Sequence, residues 1–271
     1  NRKLRQAIAI AIDWEEGYGR IFKHKGGVAA HSPIPPGLFG SREGQGDFHN
    51  PVTHRWVDGK AVSSASAESS AIGIDAGAGD NRVVVEGALV ATVQGSASAG
   101  TFADAGFFSL NSDAFSDSTA TLQPSLAVGV RAGAGRDLIA NFGSITASAM
   151  PQATATATAD GGGLIDDDAD ATATASARGI QAIGIDAGAG DNEILNRGTI
   201  TVTAAPKVIA NAHSEAYGAS DSGAGATAML SGTTAIGILS GGRVNRVVND
   251  GRIGVSTDAQ AQASAWTSPG G

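Results

Sequence analysis

Four segments of the chain repeat one sequence pattern, and this repeat limits the folds that the chain can adopt. Ala71–Asn81 recurs without change as Ala182–Asn192, and shorter copies occur at Ala127–Gly135 and Ala235–Ile238. The spacings between their first residues are therefore 56, 55 and 53 residues. A fixed spacing of this kind is typical of repeat proteins, in which one structural unit stacks on the next.

Three further columns of residues stay in phase downstream of each copy. One column is glycine. An apolar column lies two residues after each glycine, and a second apolar column lies four residues before it. In order, the three columns are Gly87, Gly143, Gly198 and Gly251; Leu89, Ile145, Ile200 and Ile253; and Val83, Ile139, Ile194 and Val247. Equivalent positions therefore hold equivalent residues throughout each repeat.

Within each repeat, apolar and polar residues alternate. Ile194, Ile200 and Val202 fall on one face of an extended chain, while Arg197 and Thr201 fall on the other. Alternation with Val, Ile and Thr indicates β-strands with one buried face, and Gly-Ala-Gly-Asp-Asn supplies turns. We predict an all-β fold, a parallel β-solenoid (β-helix) of four repeats of about 55 residues with about two coils per repeat. A propeller is the alternative, but propeller blades normally carry more aromatic residues than the 5% found here.

The composition changes abruptly near Val62. Residues 1–61 carry nine Lys and Arg against six Asp and Glu, whereas residues 62–271 carry nine against twenty, so the net charges are +3 and −11. Such a change indicates a domain boundary. We predict a helix-and-loop segment over 1–62, a Ser/Ala linker over 63–70, β-solenoid repeats over 71–266 and a tail over 267–271.

The first segment has a sequence character of its own. The apolar spacing from Leu4 to about Glu15 predicts an amphipathic helix, and the prolines of Ser32–Gly37 exclude helix farther on. Asn1–Asp13, Gly26-Gly27, Pro33–Gly40 and Asn50-Pro51 together resemble the family 5 solute-binding proteins, the peptide-binding subunits of ABC importers. The resemblance covers residues 1–62. It implies a fragment of one lobe of a periplasmic peptide-binding protein that is truncated or chimeric here.

Composition also excludes several classes of partner. The net charge of −8 argues against binding to nucleic acid or to an anionic membrane. With no cysteine, the chain has no disulfide, thiolate metal site or Cys nucleophile. The longest apolar run, Ala7–Ile12, is too short to span a bilayer. Because the chain starts at Asn1 inside a helix pattern, we expect a fragment or processed product, whose export route the sequence does not reveal.

Asn141, Asn196 and Asn249 occupy one position of the repeat, and Val85 replaces them in the first copy. In a solenoid, equivalent residues lie above one another, and stacked Asn amides can hydrogen-bond along the axis. We therefore predict that the three asparagines form a structural ladder.

Two types of acidic segment are candidates for a metal site. Gly77–Asn81 and its copy Gly188–Asn192 approach the calcium-binding nonapeptide repeat, but they do not occur in tandem, which favours a role as turns. Asp166, Asp168 and Asp170 alternate and are therefore the better candidates for Ca²⁺, which prefers oxygen ligands. The alternative is a solvated acidic loop, and no other cofactor is expected.

The repeats offer little that is typical of a catalytic site. They contain one histidine, His213, and only Trp266 and Tyr217 as Trp or Tyr, whereas solenoid polysaccharide lyases and hydrolases need basic and aromatic groove residues. Residues 68–266, rich in Ala, Gly and Thr, resemble the repeat passenger regions of bacterial autotransporter adhesins. This resemblance implies an extracytoplasmic, non-catalytic protein with a structural, adhesive or filament-forming role. Its expected contacts are a second copy through the solenoid ends, a host surface or extracellular matrix. A peptide-binding importer component and a polysaccharide enzyme remain alternatives.

Overall fold

The computed structural model describes residues 58–105, 113–162, 168–217, 221–242 and 244–270. These residues form eighteen β-strands and no helix. The expected helix from Leu4 to Glu15 and almost all of the segment that resembles solute-binding proteins lie outside the described residues. The described part of the chain is all-β, as predicted.

The strands form four parallel sheets, which we call sheets A to D. Sheet A contains β1 (Asp58–Asp75), β5 (Asp113–Arg131), β9 (Ala169–Arg178), β10 (Ile180–Asp186), β14 (Ser222–Ser231) and β15 (Thr234–Leu239). Sheet B contains β2 (Arg82–Val85), β6 (Leu138–Asn141), β11 (Glu193–Asn196) and β16 (Arg246–Asn249). Sheet C contains β3 (Ala88–Val93), β7 (Ser144–Ala149), β12 (Thr199–Ala204) and β17 (Arg252–Thr257). Sheet D contains β4 (Ser96–Ala105), β8 (Gln152–Gly161), β13 (Lys207–Tyr217) and β18 (Gln260–Gly270).

The chain visits the sheets in the order A, B, C and D and then returns to sheet A. We call these four circuits pass 1 (58–105), pass 2 (113–162), pass 3 (168–217) and pass 4 (221–270). Each strand pairs with its equivalent in the next pass, so that Ile200 has Ile145 and Ile253 as its register partners. The in-phase columns of the sequence are therefore the register partners of the sheets.

Three details of the predicted organisation are wrong. Each repeat makes one pass through the four sheets rather than two coils, because strands as long as β5 and β8 use up its length in a single circuit. The Ser/Ala stretch 63–70 is not a linker. It lies inside β1, where its alternating residues pair with β5, and most of the predicted tail 267–271 continues β18.

A narrow apolar interior runs through passes 1 to 3 and is bordered by partly buried residues of pass 4. Apart from Gly161, the inward residues of β8 and β9 are alanines that are at most 2% exposed, and β8 packs against β9. The sheets approach so closely that the Ser118 hydroxyl of sheet A donates to the Ala99 carbonyl of sheet D at 2.8 Å. Ser116 likewise donates to Thr101 Oγ1 at 2.6 Å. Alanine is therefore the residue that this spacing accepts, because larger side chains would push the two sheets apart.

Candidate functional site

The predicted asparagine ladder connects three passes through the interior. Asn141 Nδ2 donates to Asn196 Oδ1 at 2.7 Å, and Asn196 Nδ2 donates to Asn249 Oδ1 at 2.6 Å. Asn141 and Asn196 are fully buried, and Asn141 Oδ1 also accepts from the backbone N–H of Gly143 at 3.2 Å. The amides of Asn141 and Asn196 are thereby satisfied where water does not reach, Asn249 at the end of the ladder is exposed, and each bond connects one pass to the next.

A second polar column, which sequence reasoning missed, lies at the turn from sheet A to sheet B. It consists of Asn81, Asp137, Asn192 and Asn245. The backbone N–H and the Nδ2 of Asn81 both donate to Asp137 Oδ1, at 2.8 and 2.9 Å. The backbone N–H of Asp137 donates to Asn192 Oδ1 at 3.1 Å, and that of Asn192 donates to Asn245 Oδ1 at 3.0 Å. The aligned Asp-Asn pairs at 80–81 and 191–192 were the available signal. The column is hard to recognise in the sequence because Asp137 stands where the other repeats have asparagine.

The calcium-like segments also connect neighbouring passes. Asp80 Oδ1 accepts from the backbone N–H of Arg136 at 2.8 Å, and Asp191 Oδ1 accepts from that of Val244 at 3.1 Å. Each carboxylate thus binds the turn of the following pass. This use of the carboxylates favours the interpretation of both segments as turns.

The predicted cation ligands are only partly brought together. Asp166 lies outside the described residues, Asp168 immediately precedes β9, and Asp170 lies within β9. Asp170 lines an open cavity of about 440 Å³ on the outer face of sheet A, next to Asp117 and Phe115. Among the described residues, no three His, Cys, Asp or Glu side chains are grouped to hold a metal ion. Asp117 and Asp170 are the carboxylates through which this cavity would attract a cation.

Glycines shape the floor of this cavity. Gly223 and Gly225 are the register partners of Asp170 and Thr172, so the outer face of pass 4 has no side chains at these positions. The absence of side chains opens the depression beside Asp170. The cavity is shallow and faces solvent.

Acidic residues line both sides of the corner between sheets D and A. Asp113, Asp168 and Asp221 are equivalent residues at the start of sheet A. Near the end of sheet D, Asp160 pairs in register with Asp104 and Glu215. Burial and the neighbouring Asp104 and Glu215 carboxylates raise the pKa of Asp160 above its usual value, and His213 opposes this shift. Both sides of this corner therefore carry a column of carboxylates.

An aromatic column runs along the outer face of sheet D beside these carboxylates. It contains Phe102, Thr158, His213 and Trp266, and Phe102 and Trp266 are 61% and 49% exposed. The His213 and Trp266 ring centroids are 5.1 Å apart. His213 Nε2 lies 4.0 Å from Glu215 Oε2, while Nδ1 is buried and has no hydrogen-bond partner. This arrangement offers flat apolar surface next to hydrogen-bond acceptors.

Opposite charges pair along the outer surface from one pass to the next. Arg131 lies between Asp75 and Asp186, at 4.0 and 3.9 Å. Arg197 Nε lies 3.5 Å from Asp250 Oδ2, and Arg246 forms an ion pair with Glu193. The arrangement gives each of these columns a preferred register.

The fold and these contacts define an all-β protein of parallel sheets, in which hydrogen-bonded and charged columns connect equivalent strands. No family model, curated protein or solved structure matches the chain. The described residues include no helix with the length and apolarity needed to cross a bilayer.

Proposed function

We propose that the chain is a four-repeat β-solenoid that serves as a non-catalytic structural or adhesive shaft outside the bacterial cytoplasm. The observation that carries this proposal is the register, in which each strand pairs with its equivalent one repeat later in all four sheets. An array of this kind presents similar surface strips along its length, which suits contact at several points rather than one catalytic cleft.

The surface supports the proposal in a second way. The Thr and Ser side chains that alternate with the inward alanines lie on the outside of the sheets, and the acidic corner keeps the shaft negatively charged. Net charge of one sign keeps an extended repeat protein soluble. The resemblance of residues 68–266 to autotransporter passenger regions points to a bacterial cell surface and to a host surface or extracellular matrix as partner.

Display of the chain on a bacterium that lacks adhesins tests this function. We expect attachment to immobilised extracellular matrix or to epithelial cells to rise above that of the undecorated strain. A matched strain should display the chain with Phe102→Ala and Trp266→Ala, which removes both exposed aromatic side chains of sheet D. Attachment no higher than that of the undecorated strain would contradict the adhesive role.

Two further measurements separate the alternatives. Saturable binding of oligopeptides by the full chain would overturn the proposal in favour of the importer fragment that residues 1–62 resemble. Release of unsaturated products from uronic-acid polysaccharides would overturn it in favour of a polysaccharide lyase. We expect neither activity, and the same preparation must show the all-β circular dichroism spectrum before either assay counts.

A further inference from the structure

The inner face of pass 4 is open, unlike that of the other passes. Val247 and Val255 point inward but are 47% and 48% exposed, whereas their equivalents Ile194 and Val202 in pass 3 are fully buried. In pass 1, the equivalent Val83 is only 7% exposed. The exposed apolar surface therefore belongs to the end of the stack formed by pass 4, where β14 to β18 each have one edge without a strand partner among the described residues.

The repeat itself specifies a complementary surface for this end. The faces of passes 1 to 3 that are equivalent to the open one are each covered by the following pass in the same register. Pass 1 carries the same strand order and the same inner column, with Val83 equivalent to Val247 and Ala91 equivalent to Val255. The edge of pass 1 that faces away from pass 2 is therefore equivalent to the edge of pass 4 that covers pass 3.

We propose, on the basis of the solenoid function proposed above, that the open face of pass 4 binds pass 1 of a second copy of this chain in the continued register. Trp266 then lies over Phe102 of the second copy, because both belong to one column of sheet D. Both rings are exposed in the single chain. Their contact would bury aromatic surface at the junction, and paired aromatic rings attract each other beyond the effect of the buried area.

Like charges oppose this junction and make it sensitive to salt. In the continued register, Arg246 faces Arg82 of the second copy, and Asp250 faces Glu86. The same two residues have opposite charges as partners within the chain, since Arg246 pairs with Glu193 and Asp250 pairs with Arg197. The junction thus combines apolar attraction with repulsion that salt screens.

The chain itself supplies the variant that tests the proposal. Arg82→Glu with Glu86→Arg gives pass 1 the two charges that pass 3 carries at Glu193 and Arg197, and the net charge of the protein stays the same. Both positions are exposed, so the fold is expected to persist. The control is Arg82→Lys with Glu86→Asp, which keeps both signs.

Sedimentation velocity of the full chain at about 0.01 M and at about 0.5 M ionic strength gives the readout. We expect the wild type and the control to be monomeric at low salt and to associate at high salt. The charge-swapped variant should associate at low salt, with an apparent Kd about tenfold below that of the wild type. Identical sedimentation of variant and wild type at both salt concentrations, with unchanged circular dichroism, would overturn the proposal.

A cross-linking experiment tests the register. The natural chain has no cysteine, so Thr92→Cys and Ser256→Cys can be made as two separate single-cysteine proteins. Their positions share one column of sheet C, in which Thr203 Oγ1 and Ser256 Oγ are 3.2 Å apart. We expect a disulfide-linked heterodimer at high salt from this mixture and little from Thr92→Cys mixed with Gln262→Cys. Equal yields from the two mixtures would exclude the continued register.

The two readouts separate failure of the junction from failure of the proposed function. Attachment to matrix by the displayed chain does not depend on the charges at Arg82 and Glu86. A chain that attaches but never associates would retain the adhesive role and lose only the junction. A chain that associates but does not attach would retain a filament-forming role.

Discussion

Pass 3 and pass 4 have similar strands but very different burial. Ile194 and Val202 in pass 3 are fully buried, while Val247 and Val255 at the same positions of pass 4 are about half exposed. The sequences of the two passes therefore do not decide their burial. The presence of a following pass does, as expected of a repeat protein whose stability comes from contacts between neighbouring units.

The largest expected effect of contacts between passes is at the turns between sheets A and B. Gly190 has a φ of +126°, and an added Cβ would collide with the backbone carbonyl of Gly135 in the preceding pass. We expect Gly190→Ala to lower the free energy of unfolding by more than about 3 kcal/mol, since backbone strain and a backbone clash add. Denaturant unfolding followed by circular dichroism measures the loss.

The equivalent glycine of pass 1 is the control for this substitution. Gly79 has a φ of +112°, but a Cβ there would meet no atom within 4 Å. Gly79→Ala should therefore cost only the strain of the backbone, about 1–2 kcal/mol. Equal losses for the two variants would mean that the turns do not stack as described.

Inward valines compare the buried and the open pass directly. We expect Val202→Ala to lower the free energy of unfolding by about 2 kcal/mol, because it removes buried methyl groups and leaves a cavity. Val255→Ala, in the same column but 48% exposed, should cost less than half as much. Chemical unfolding at low salt measures both, and losses of equal size would show that pass 4 is covered in solution.

Asparagine-to-valine substitutions extend the comparison to the polar interior. Asn196→Val removes the acceptor of the Asn141 amide and the donor to Asn249. Because Asn141 is fully buried, its unsatisfied amide should cost about 1–2 kcal/mol. Asn249→Val leaves the amide of Asn196, which is also fully buried, without its acceptor, so it should cost a similar amount. Thermal unfolding of the two variants should therefore show losses of Tm of similar size, and an unchanged Tm for Asn249→Val would mean that water satisfies the Asn196 amide at the open end.

The fold was more predictable than the contacts because the sequence repeats backbone positions more faithfully than side chains. Ile145, Ile200 and Ile253 share a column, and their alternation with polar residues was enough to predict parallel strands. The number of circuits per repeat was not predictable, because alternation does not say where a strand of one sheet ends and the next sheet begins. The start of β1 was missed since its Ser/Ala pattern precedes the first recognisable repeat and looks like a linker.

The candidate site was predictable only where equivalent residues are identical. The column of Asn141, Asn196 and Asn249 could be read directly from the alignment of repeats. Asp137 stands where the other passes have asparagine, and its hydrogen bonds to Asn81 and Asn192 follow from three-dimensional register alone. The raised pKa of Asp160 likewise depends on Asp104 and Glu215, which are distant in sequence and become neighbours only when the passes stack.

The smallest expected effect comes from this acidic column. Because the pKa of Asp160 is raised in the folded chain, the folded state holds its proton more tightly than the unfolded state does. The contribution of this residue to stability is therefore most favourable below the usual Asp pKa, and it falls as the pH rises through the raised pKa. Asp160→Asn removes the charge that burial, Asp104 and Glu215 disfavour, and it also removes the weaker attraction to His213. We expect it to raise the Tm by a few degrees at about pH 7 and by less at about pH 3.

The same charge change at an exposed position controls for net charge. Asp258→Asn alters an exposed carboxylate of pass 4 that accepts a hydrogen bond from Gln260. If the stability of Asp160→Asn rises only through the lower net charge, the two variants should change Tm equally at each pH. A gain confined to Asp160→Asn and larger at neutral pH would instead locate the repulsion in the column formed by passes 1, 2 and 3. It would show that register, which brings opposite charges together at Arg131 and Arg197, also forces like charges together where adjacent passes carry the same sign.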